Sequence, residues 1–203
     1  MSRRPEDRGT LTREAICKEA LALVDEEGLE ALSMRRLGAR LGVEAMSLYN
    51  HVRNKADLLD ALHAAVLGGL SPDIEPKVGP KGDNDAWRPL LAGMARALHA
   101  ALRAHPHVLP LFTTRPVTAP EALATIERIG TAFARARFSP AETEQAIYVV
   151  GMFTIGHAIF EANGTDGEAR RRAALFRFGL EALLDGIERT HRRPTRKPSR
   201  RIR

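Results

Sequence analysis

The sequence predicts an all-α protein. Leu and Ala dominate its 203 residues while aromatics make up only 5%. Apolar residues recur at three- and four-residue spacing, and no segment alternates Val, Ile or Thr with polar residues. A chain of this length can bury a hydrophobic core in one or two domains.

Residues 1–11 read as a flexible arm. A first helix opens at Thr12, whose hydroxyl can cap orphan amides. Ile16, Ala20, Leu23 and Val24 form its apolar stripe, and Gly28 ends it. A second helix opens at Ser33, buries Leu37 and Leu41, and stops at Gly42. A third, short helix is expected over roughly Ala45 to His51. Asn54 then caps a fourth, with Asp57 placed to reach back to the cap, over 55–70. The run SPDIEPKVGPKGDND, residues 71–85, reads as a linker. Beyond it, 86–189 reads as one helical domain. Its helices are Trp87–Ala104, a short one near 107–113, Pro120–Arg137, Pro140–Ala162 and Glu168–Arg189.

The charge is unevenly spread. Residues 189–203 hold eight basic and no acidic residues, leaving 23 basic against 25 acidic, or −2, elsewhere. The basic tail, 190–203, is read as a disordered end, with a non-specific phosphate grip as the alternative. One cysteine, Cys17, excludes a disulfide framework within the chain and suits a reducing compartment. The N-terminus MSRRPEDRGT lacks the apolar stretch of a secretory signal, and apolar runs fall short of about 20 residues. A soluble, cytoplasmic protein with no membrane partner is the expectation.

Two short helices joined by a glycine-containing turn make a helix-turn-helix, whose second helix suits the major groove. Between Ser33 and Lys55 lie Arg35, Arg36, Arg40, Arg53 and Lys55 against Glu44 alone, a local +4. The whole of 1–70 sums to −1, so the positive charge is confined to the elements that would meet phosphate.

The run TREAICKEALALVDEEGLEALSMRRLGARLGVEAMSLYNHVRNKADLLDAL resembles the N-terminal domain of tetracycline-repressor-type regulators. TTRP (113–116) and GMFTIG (151–156) look like segments of the tetracycline repressors proper. The resemblance implies a helix-turn-helix DNA-binding domain over 12–54, joined by the fourth helix to an effector-binding and dimerisation domain. By position, Arg35 matches the base-reading arginine, Arg36 lies beside it, and Ser33 caps the helix and reaches a phosphate. Ala45, Met46 and Ser47 would meet base edges. Tyr49, Asn50 and His51 match an aromatic-rich stretch touching bases and backbone, and Lys55 matches a phosphate grip. Ala45, Met46 and Asn50 depart from the tetracycline repressors, so a different operator is expected, with Met46 suited to a thymine methyl.

The implied function is a homodimeric repressor that leaves a palindromic operator when a small molecule binds the C-terminal domain. An activator of the same fold, or a non-specific architectural DNA-binding protein relying on the tail, are the alternatives. The pocket positions of the family fall on Ser71, Met94, Leu98, Leu111 and Phe160, and Met152 replaces a metal-side histidine. No tetracycline–magnesium response is therefore expected. Candidate effector contacts are Met94, Leu98, Leu111, Thr114, Arg115, Glu127, Ile147 and Gly151. Ile147, Val150, Phe153, Ile155, Ile159, Leu175, Phe178, Leu180, Leu183 and Leu184 are offered as dimer-forming apolar area.

No cofactor, metal site or enzymatic role is expected. His99, His105 and His107 lie near one helix end with no Cys or acidic cluster in sequence beside them. Glu142 and Glu144 stand two apart, which does not pair them on a helix. No phosphate-cradling loop or nucleophile elbow occurs.

Overall fold

The computed structural model describes residues 11–69, 86–164 and 168–192; the arm up to Thr10, Ser71 with its linker, and the tail beyond Arg192 lie outside them. Among the described residues there are helices and no strands. The chain divides into two compact units, one of Met1–Ser71 with Ala100–Leu123 and the other of Pro72–His99 with Ala124–Arg203.

The first unit is organised by local caps. α1 (Arg13–Glu27) begins where Thr12 accepts from the Ala15 N–H and ends at Gly28. After a 3₁₀ turn over Leu29–Ala31 comes α2 (Met34–Leu41), capped by Ser33 accepting from the Arg36 N–H at 3.3 Å. α2 closes at Gly42, whose φ of 68° places it in the left-handed region that glycine enters without a steric penalty. α3 (Ala45–Leu48) is shorter than the expected Ala45–His51. Past Leu48 the chain tightens into three-residue turns: Tyr49 N–H donates to Met46 and His51 N–H to Leu48. Val52, 1% exposed, is drawn into the core there.

α4 (Lys55–Gly68) is capped by Asn54, which accepts from the Asp57 N–H at 2.9 Å. The Asp57 carboxylate does not reach back to the cap residue's own N–H as expected. It accepts from the Arg53 N–H at 2.8 Å and from Arg13 at 3.0 and 3.1 Å. The core joins Ile16, Leu23, Leu37, Leu48, Leu58 and Leu62. Val108 and Leu111 enter the same core, from a 3₁₀ turn at Pro106–Val108 and from α6 (Leu109–Thr114). By contact, residues 100–123 cluster with the N-terminal residues. Burying these two aliphatic side chains contributes about 1.5–3 kcal/mol each to that core.

The second unit is built from α5 (Trp87–Ala104, up to His99), α7 (Pro120–Arg135, from Ala124), α8 (Pro140–Ala162) and α9 (Ala169–His191). Trp87, Leu91, Phe133, Phe138, Val150, Phe176, Leu180 and Leu184 fill its core, with Trp87 against the rings of Phe133 and Phe138. α7 stops short of the expected Arg137, whose φ of 69° breaks the helix. Ser139 and Glu142 form a reciprocal capping box on α8, which accounts for Glu142. α8 and α9 approach closely at Gly179, where an added Cβ would lie 2.5 Å from the Phe153 ring. Arg88 on α5 reaches Glu181 and Asp185 at 2.7 Å each and Glu188 at 3.5 Å, all on α9.

With 23 helical residues α8 is long and apolar enough to cross a membrane by length and composition alone, and 22% of its most apolar window is buried. The apolar residues offered for dimerisation also divide. Val150, Leu180 and Leu184 are core, because the second unit needs them, whereas Ile159, Leu175 and Phe178 are exposed. Tyr148, Met152 and Phe160 join the exposed set.

Candidate nucleic-acid interface and effector region

The turn between α2 and α3 depends on a close approach that the sequence reading missed. A Cβ added at Gly38 would lie 2.9 Å from the Val43 carbonyl and 3.2 Å from the Ala45 nitrogen. The Val43 N–H in turn donates to the Gly38 carbonyl at 2.9 Å. A small residue in mid-helix, on an α2 face otherwise buried at Met34 and Leu37, was the available signal.

Around this turn the candidate side chains are disposed unequally. Met46 is 74% exposed and Tyr49 44%, beside a core that fully buries Leu37 and Leu48. Arg35, Asn50 and Lys55 are exposed; Ser33, Ala45, Ser47 and His51 are half-buried. The His51 carbonyl accepts from Arg13 at 2.9 Å, which ties the end of the α3 segment to α1.

The +4 patch is partly neutralised by carboxylates on α1. Arg36 pairs with Glu27, and Arg40 with Glu19 at 2.6 Å and Glu26 at 2.5 Å. Arg53 lies 3.6 Å from Asp57 but stays 87% exposed. Arg36, expected to meet DNA, has its guanidinium already engaged by Glu27. Among the described residues, neither Arg35 nor Lys55 forms an ion pair.

The candidate effector residues fall in both units. Leu111, Thr114 and Arg115 belong to the first. Leu111 is 2% exposed in its core, Thr114 donates to the Pro110 carbonyl, and Arg115 is held by Asp60 and the Ala56 carbonyl. Met94, Leu98, Glu127, Ile147 and Gly151 belong to the second. Leu98 is buried, Met94 and Gly151 are half-buried and Glu127 is exposed. Ile147 lines a groove of about 520 Å³ with Ile126, Gly130 and Tyr148.

The three histidines separate, and two of them meet acids that the sequence did not place beside them. His105 Nδ1 lies 2.8 Å from Asp25, and His107 Nδ1 lies 2.9 Å from the Val24 carbonyl. His99 is drawn to Glu161 and His157. Helix packing brings together residues 62 apart in the chain, which local spacing cannot reveal. Burial pushes the His157 pKa below its ordinary value.

Comparison with known proteins covers both halves. Residues 16–62 match the model "Bacterial regulatory proteins, tetR family", and 79–175 match "Tetracyclin repressor-like, C-terminal domain". The HTH-type transcriptional repressor DrrR1 of Streptomyces coeruleorubidus is 34% identical over 82% of this chain, an alignment that spans 58% of that relative's length. The tetracycline repressor protein class C of Escherichia coli is 34% identical over 80% of this chain and 71% of its own. Among solved structures, a TetR variant from Acinetobacter baumannii AYE in complex with minocycline superposes with a TM-score of 0.75. It is 27% identical, covering 91% of this chain and all of that one.

Proposed function

Because the chain belongs to the tetracycline-repressor family of bacterial transcriptional regulators, we propose that it is a homodimeric repressor, released from operator DNA by a small-molecule effector. The observation that carries the reading is the α2–turn–α3 unit. Gly42 in the left-handed region and Gly38 against Val43 hold α3 close on α2, while Met46 and Tyr49 face solvent. A short helix with solvent-facing side chains, beside the unengaged Arg35 and Lys55, suits docking in a major groove. On this reading Ser33, Arg35, Ala45, Met46, Ser47, Tyr49, Asn50, His51 and Lys55 contact DNA, and Arg36 contributes less.

Two protomers are needed to read a palindrome whose half-sites lie about 34–36 Å apart. Exposed Tyr148, Met152 and Phe160 on α8, with Leu175 and Phe178 on α9, supply apolar area for a two-fold interface. That also accounts for an apolar α8 without a membrane, and a DNA regulator of this kind works in the cytoplasm. The effector is proposed to be more apolar than a drug–magnesium complex, because Leu111 stands at a pocket position of the family and Met152 where the resemblance places a metal-side histidine.

The test is selection of bound sequences from random duplexes, followed by footprinting with full-length protein and with a chain lacking residues 190–203. Protection of a discrete inverted repeat by both supports the reading. Sequence-independent binding that disappears with the tail would replace it with the architectural alternative.

A further inference from the structure

His99 on α5 and His157 and Glu161 on α8 each bring one donor atom into a cluster whose members lie within 4.8 Å of one another. His99 Nε2 is 2.9 Å from Glu161 Oε2, and His157 Nδ1 is 3.8 Å from Glu161 Oε1. The three side chains are 9%, 8% and 10% exposed. Phe176 stacks on the His99 ring at 3.8 Å, and Phe153 and Phe160 flank His157.

The informative group is His157. Neither of its ring nitrogens has a hydrogen-bond partner, although the side chain is more than nine-tenths buried. A neutral imidazole always carries one N–H donor and one acceptor, and leaving such a group unsatisfied costs about 1–3 kcal/mol. The ring is nonetheless held beside a carboxylate and a second imidazole.

We propose that His99, His157 and Glu161 form a binding site for one divalent transition-metal ion of the zinc class. Two imidazoles and one carboxylate are a donor set that zinc accepts, with a fourth position left for water or an anion. Zinc bonds of about 2.0–2.2 Å put tetrahedral donors roughly 3.3 Å apart, so side-chain shifts on the order of an ångström close the site. His157 and Glu161 are one helical turn apart on α8, and His99 reaches them from α5. Arg172 is the neighbouring cation. Its Nη1 donates to the Glu161 carbonyl at 3.2 Å and its Nη2 meets Glu168 at 3.0 Å, so Glu168 balances its charge. The ion would take the lone pair of one His157 ring nitrogen, the acceptor; the N–H on the other nitrogen is not matched by it. These residues are not the positions the resemblance assigns to a drug-bound magnesium, and the inference does not depend on the operator reading.

The experiment is calorimetric titration of chelator-stripped, full-length protein with Zn²⁺, with visible d–d absorption of the Co²⁺ form as a geometric probe. One ion per chain is expected, with H157Q and E161Q each weakening binding at least tenfold. No uptake by the wild-type chain, or uptake unchanged in both variants, overturns the proposal. A variant that unfolds would also lose zinc, so the wild-type melting temperature gives a second reading. It must rise with added Zn²⁺, since an ion bound only to the native state stabilises it. An unchanged melting temperature overturns the proposal.

Discussion

Arg115, just beyond α6, donates through one guanidinium nitrogen to the Ala56 carbonyl at 3.1 Å and to the Asp60 carboxylate, both on α4. The pair fastens the end of α6 to the helix that follows the helix-turn-helix. Asp60 is half exposed, so the ion pair itself contributes little. Arg115→Ala is expected to lower stability by less than about 1 kcal/mol in urea denaturation. A loss of several kcal/mol would mean that Arg115 holds the core together. An effector that uses Arg115 must also take the N–H groups left over, or compete with Asp60.

Asp57 gives a pH signature. Arg13 and the Arg53 N–H hold its carboxyl well below the usual carboxylate range. A carboxyl depressed in the native state stabilises it above the unfolded value of about 3.9, and that contribution fades as pH falls toward the native value. Asp57→Asn should therefore cost about 1–3 kcal/mol at pH 7. The gap between variant and wild type should narrow below about pH 4. Urea titrations at several pH values measure both; a gap independent of pH would rule the assignment out.

Gly38→Ala tests the close turn. Its methyl would meet the Val43 carbonyl at 2.9 Å, so α3 must shift or α2 must bend. About 1–3 kcal/mol of destabilisation is expected, together with weaker operator binding. Thermal melting and fluorescence anisotropy read the two effects. An alanine variant as stable and as tight-binding as the parent would show the contact to be unimportant.

Arg35 and Arg36 should behave differently. Arg35→Ala is expected to cost about 1–3 kcal/mol of operator binding and to relax one base position. Arg36→Ala should cost less, because Glu27 already engages that guanidinium. A base-substitution scan of the selected operator distinguishes them, and equal losses at all positions for both would remove the base-reading role from Arg35.

Tetracycline with Mg²⁺ should not bind. Leu111 lies 2% exposed in an apolar core, and Met152 offers a thioether in place of an imidazole. Calorimetry with both components is the check; a saturable heat would refute the expectation.

Much of the first unit could be read locally. Thr12, Ser33 and Asn54 cap helices whose starts depend on side-chain oxygens a few residues from the amides they bind. The length of α3 was not legible: three-residue turns replace the helix past Leu48, and Val52 beyond them is buried in the core. The core contacts of Val108 and Leu111 were hidden too, since they find their neighbours across the linker in sequence. On α8 and α9, apolar residues occupy more than one side. Periodicity therefore could not separate core Val150 and Leu184 from exposed Phe178. The His99–His157–Glu161 cluster needed two packed helices to exist at all.

The grip of Arg88 on Glu181, Asp185 and Glu188 has a consequence for how α9 can vary. The three acids follow one stripe at four- and three-residue steps, flanking the core stripe of Phe176, Leu180 and Leu184 about 100° round the helix. Inserting a single residue ahead of Glu181 would rotate everything downstream by about 100° and break the registration with α5. The geometry therefore leaves room for exchanges of side chains on the outer surface of α9 and for changes of length only at its ends.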